Sequence, residues 1–126
     1  MFVHHSIAAL AALVVAALPT KPALASTGPW SDYYTDSGMV TVSADRKQVR
    51  VCDLDASDDL HFKAEFATDN PIDPSIYTVK APQGGCDSDR TYISRIKVFK
   101  LCTGSVRISD VVWDHCNAPI WLSRLS

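Results

Sequence analysis

Basic residues are not in surplus: twelve Lys and Arg stand against fourteen Asp and Glu in 126 residues, a formal net charge of −2. Duplex nucleic acid is held by neutralising phosphate, so a chain without that surplus is not expected to bind it. Cofactor signatures are missing too. There are only five glycines, with no G-x-G-x-x-G and no Walker loop, and none of the serines sits in a G-x-S-x-G elbow. This excludes the usual phosphate cradles and the hydrolase serine, and no cofactor is expected. The four cysteines lack a C-x-x-C pair and are spaced by 34, 16 and 14 residues, which disfavours a zinc site. Beyond the first 25 residues no window of about 11 residues carries a 3.6-residue period, so little helix is expected.

The one long apolar run lies at the start. Ile7 to Leu18 is uninterrupted, Pro19 breaks it, and Ala23-Leu24-Ala25 supplies small residues at a cleavage position. This is the pattern of a signal peptide over residues 1–25. As a helix the run would rise only about 18 Å against the roughly 30 Å hydrocarbon core, so no permanent span is expected. Cleavage would remove Lys21 and no acid, taking the net charge from −2 to −3. The expected organisation is a leader at 1–25, a flexible lead-in or edge strand at 26–37, and a single β domain at 38–126. The expected location is extracellular.

All four cysteines, Cys52, Cys86, Cys102 and Cys116, follow the leader. An even count in an exported chain predicts disulfides, and four cysteines allow three pairings. Cys52 with Cys86 and Cys102 with Cys116 is favoured, because sequential closures leave no threaded loop.

Leu60, Phe62, Ala64 and Phe66 alternate with His61, Lys63 and Glu65, a two-residue period that predicts a strand with one apolar face. Val40 and Val42, then Val49 and Val51, flank the mostly polar Ala44-Asp45-Arg46-Lys47 and predict a hairpin. Further β-rich runs are Ile76 to Val79, Tyr92 to Cys102, Ser105 to Ser109 and Ile120 to Leu122. The apolar residues of Arg95 to Cys102 change parity between Val98 and Phe99, which implies a bulge or burial on both faces. About seven strands in a chain of this size predict an all-β, disulfide-stabilised antiparallel β-sandwich or barrel-like domain.

The run from Val40 to Asp53, the Gly84-Gly85-Cys86 step and Val98-Phe-Lys-Leu-Cys102 resemble small exported actinobacterial proteins with two disulfides. The likeness spans roughly residues 38 to 116. It implies strand, cysteine and acidic turn, and nominates no active residue. Asp58-Asp59 stands where such proteins often place an Asp-Gly turn, and the ending from Trp121 to Ser126 has no counterpart among them.

Candidate chemistry is sparse. Asp53, Asp55, Asp58 and Asp59 crowd one segment, yet an EF-hand counted from Asp53 would need glycine where Asp58 stands and a carboxylate where Ala64 stands. A solvated turn is the expected role. His61, Glu65 and His115, with Arg95 or Arg107, could serve a secreted ribonuclease only if they converge. A protease inhibitor would need a rigid exposed loop, and Pro71 to Pro74 or Gln83 to Arg90 could supply one. Trp30, Tyr33 and Tyr34 form the candidate contact surface, since exposed rings offer apolar area at small entropic cost. Trp113 and Trp121 are expected to be buried. The reading that follows is a secreted, noncatalytic binding domain whose partner is an extracellular protein or polysaccharide.

Overall fold

The computed structural model describes residues 28–122; the leader expected at 1–25 lies outside them. Nine strands occur among the described residues: β1 (Trp30–Tyr34), β2 (Gly38–Val42), β3 (Gln48–Asp53), β4 (Leu60–Thr68), β5 (Tyr77–Lys80), β6 (Cys86–Arg90), β7 (Ile96–Arg107), β8 (Asp110–Cys116) and β9 (Ile120–Trp121). No helix is found among the described residues. One antiparallel sheet has the order β1-β2-β3-β6 and the other β5-β4-β7-β8, with β9 added to β7. The two sheets form an open sandwich rather than a closed barrel. At 12 residues, β7 is long enough to hold β4 along one edge and to share its second edge between β8 and β9.

The core is what alternation dictates. Val40, Val42, Val49 and Val51 point inward from the first sheet and meet Phe62, Ala64, Phe66, Phe99 and Leu101 of the second. The parity change in β7 is a bulge. Ala67 opposes Val98 but Thr68 opposes Ile96, so Lys97 is the extra residue and both Ile96 and Phe99 turn inward. The expected strand from Tyr92 to Cys102 therefore begins only at Ile96. Ser105 to Ser109 is not a separate strand, because β7 runs on to Arg107 and then turns into β8.

Both disulfides take the favoured pairing, Cys52 with Cys86 and Cys102 with Cys116. Each joins residues directly opposite one another on neighbouring strands, β3 to β6 and β7 to β8. They fasten the edge strands β6 and β8 to their own sheets. The strand β6, Cys-Asp-Ser-Asp-Arg, is exposed along its whole length, so pairing and the disulfide hold it rather than burial.

Besides the apolar core, a polar tie joins the sheets. Arg46, in the β2–β3 turn, is buried; its Nε donates to Ile96 O at 2.9 Å, and its own carbonyl accepts from Ile96 N at 2.7 Å. Its guanidinium lies 3.8 Å from Asp69. A residue of the predicted hairpin turn thus ties one sheet to the other.

Candidate functional site

One end of the sandwich carries two loops braced from below. The β6–β7 loop is held by Thr91 N donating to Lys47 O at 2.8 Å and by Thr91 Oγ1 donating to Ser94 O at 2.6 Å. Its far foot is locked to Asp69 in both directions: Arg95 N donates to Asp69 Oδ1 at 2.9 Å and Asp69 N donates to Arg95 O at 2.9 Å. The β4–β5 loop is set by Asn70, whose Oδ1 accepts from Ile72 N at 3.0 Å and whose carbonyl accepts from Asp73 N at 3.2 Å. Such bonds fix loop shape before any ligand arrives, which lowers the ordering cost of binding.

Between the loops lies an open cleft of about 320 Å³. Phe66 and Tyr77 form one wall, stacked with centroids 5.5 Å apart and planes 25° off parallel. Tyr92 faces from the other loop at 80% exposure, with Ile93 beside it at 90%. Asp73, Asp89 and Arg90 supply charge at the rim. The Tyr77 hydroxyl donates to Asp73 Oδ2. Hydrogen bonds from Ser75 and then Tyr77 hold the Asp73 carboxyl below its ordinary range, and the Asp73 carboxylate in turn pushes the Tyr77 phenol up. Asp73→Asn should therefore bring Tyr77 ionisation down towards its ordinary value of 10.0, read as the tyrosinate absorbance in an alkaline titration. An unchanged Tyr77 midpoint would mean the pair does not exist in solution.

The aromatic segment near the start divides across β1, which is an edge strand rather than a flexible lead-in. Trp30 and Tyr34 turn towards the core, while Tyr33 points to solvent on the opposite side. Strand alternation thus assigns the three rings to two faces. Tyr34 sits 6.1 Å from the Phe62 ring and 5.5 Å from the His115 ring. Trp113 is half-buried beneath Lys63, whose Nζ lies 4.9 Å from the ring centroid. Trp121, expected inside, is 51% exposed because β9 places it opposite Val98 on the outer side of the sheet.

The groups considered for ribonuclease chemistry are not brought together. Thr103 opposes both Phe62 and His115, which puts His115 on the inner side of the sheet, while His61 is on the outer side. Glu65 is committed to Lys63 at 2.9 Å and Lys100 at 3.5 Å. Burial alone would raise its pKa, but the two ammonium groups outweigh that and hold it low, the reverse of what a general acid needs. Arg107 pairs with Asp114 at 3.2 Å and Arg95 with Asp69 at 3.9 Å.

In the acidic segment, Asp53 accepts from Asp55 N and Gly84 N, Asp55 from Ser57, and Asp58 from Leu60 N. These carboxylates shape turns. Of the two segments considered as inhibitor loops, Pro71 to Pro74 lies in the β4–β5 loop, whereas Gln83 to Arg90 becomes a turn followed by the paired strand β6.

The cleft escaped sequence reading because Tyr92 and Ile93 look like strand residues there. The available signal was Asp87 to Thr91, polar throughout, which isolates them from any apolar alternation. Compared with known proteins, the chain matches no family model, no curated protein and no solved structure.

Proposed function

We propose that the protein is an exported recognition domain that binds an extracellular macromolecule without transforming it, through the cleft between the β4–β5 and β6–β7 loops. The observation that carries this reading is the pair Tyr92 and Ile93, almost fully exposed on a loop whose two feet are hydrogen-bonded to the framework. Keeping large apolar side chains in water costs free energy that burial against a partner would recover, and rigid aromatic anchors are what binding surfaces use. Ile72 and Ile76 on the neighbouring loop are exposed as well. Export rests on the leader pattern at residues 1–25, and two disulfides fit an oxidising compartment. Membership in the group of small exported two-disulfide β proteins is part of the same proposal.

The test is a comparative capture from culture medium and cell envelope with the oxidised protein and with a Tyr92→Ala, Ile93→Ala double variant. Both residues are solvent-facing, so the variant should keep the parent's circular dichroism and melting midpoint. Material retained by the parent and released by the variant is the expected result. Equal retention by both, or none by either, would overturn the proposal.

A further inference from the structure

Resting on that recognition reading, the geometry points to a neutral sugar ring as the ligand of the cleft. A pyranose has an apolar C–H face and a rim of hydroxyls that each donate and accept. The cleft offers the complement of both. Tyr77, backed by the buried Phe66 ring, and the exposed Tyr92 ring supply flat apolar walls. Around them stand acceptors on Asp73 and Asp89, donors on the Arg90 guanidinium, groups of both kinds on Asn70 and Ser94, and the Thr91 hydroxyl, which can still accept though its proton goes to Ser94 O.

The signs of the charges select among ligand classes. An anion entering the cleft meets two carboxylates, Asp73 and Asp89. A cation is drawn by the same two carboxylates, but the place it would take on the Tyr92 ring is already held by Arg90, whose guanidinium carbon lies 5.9 Å from the centroid. An uncharged polyol meets no like charge and can hydrogen-bond both signs. Arg90 forms no ion pair among the described residues, so its donors remain for such a ligand. A volume of about 320 Å³ lies at the small end of ligand sites, which suits a short sugar segment. The pre-set loops let weak stacking register as binding, because little further ordering is needed.

Affinity electrophoresis of the oxidised protein in native gels tests this, with soluble β-glucan, mannan and xylan as neutral probes and hyaluronate and chitosan as charged ones. Retardation by at least one neutral polysaccharide and by neither charged one is expected. Tyr92→Ala should weaken that interaction about tenfold, the loss of a ring-stacking contact. Tyr77→Phe, which keeps the ring, should weaken it less, and Tyr33→Ala, on β1, should leave it unchanged. No retardation by any neutral probe, preference for a charged one, or full retention in Tyr92→Ala would overturn the inference. Envelope capture that depends on Tyr92 yet is not competed by the neutral polysaccharides would refute the sugar and leave the recognition reading standing. Capture and retardation both indifferent to Tyr92 would refute the two together.

Discussion

Phe62→Ala is expected to destabilise the protein by about 3 to 5 kcal/mol, the range for deleting a fully buried phenyl group. Phe62 has no exposed surface and is among the largest side chains of the core. Its ring is the contact between the two layers at the end where β1 begins to turn into β2. Tyr34 leans on it from one side, and Gly38 faces it so closely that any Cβ there would strike the ring. The surrounding core side chains are mounted on paired strands, which relax little, so the vacated space should persist as a cavity. A domain of this size holds only about 5 to 15 kcal/mol in total, so one truncation would remove a large part of it. Urea unfolding should show the midpoint falling with an unchanged slope. Tyr33→Ala, on the solvent side of β1, is the control and should stay within about 0.5 kcal/mol of the parent. A loss below about 1 kcal/mol for Phe62→Ala would contradict the packing described.

Reduction should have a still larger effect. In the chain-entropy model a closure of the Cys52–Cys86 separation contributes about 4 kcal/mol and that of Cys102–Cys116 about 3 kcal/mol. Together they approach the whole stability of a small domain. The fully reduced protein, or one with all four cysteines replaced by alanine, should melt about 30 °C or more below the oxidised form by circular dichroism. Hydrogen exchange should divide the two effects: Cys52→Ala, Cys86→Ala should deprotect β6 first, since its side chains are exposed throughout and bury nothing of their own. A reduced protein that melts within a few degrees of the oxidised one would refute this account.

How far the sequence reports the fold can be judged element by element. The β2–β3 hairpin and β4 were legible because one face of each is buried and the other is not, so apolar residues recur every second position. The cysteine pairing was legible because sequential closures leave no threaded loop, and each closure joins strands that are paired in space. In contrast, β6 has no apolar residue apart from its cysteine. Its extended conformation comes from the β3 backbone beside it and from the disulfide, neither of which leaves a periodic trace. A bulge at Asp114 hides β8: Thr103 opposes His115 while Gly104 opposes Trp113, and the alternation slips by one. Gly104 itself is required there, since a Cβ would strike the Val112 carbonyl. The inter-sheet role of Arg46 was not legible from its polar turn, because nothing local shows that the start of β7, fifty positions later, supplies its hydrogen-bond partner. The candidate site was the least legible part. It is assembled from two loops that are distant in sequence, and its rings come from segments that local propensity assigns to strands.

The placement of the two sulfur–sulfur bonds also sets how the molecule would bear mechanical load. Each runs between neighbours within one layer, so no disulfide crosses the interface between layers, which only the backbone connections span. A force drawing the layers apart would be opposed by side-chain contact, by Arg46 and by Asn117 Nδ2 reaching Asp32 and Tyr33 O, and would leave both bonds intact. A force peeling β6 or β8 would instead stop at sulfur, whereas β1 and β5, at the opposite edges, carry no such bond. In this molecule the direction of pulling decides whether chemistry or packing is the first thing to yield.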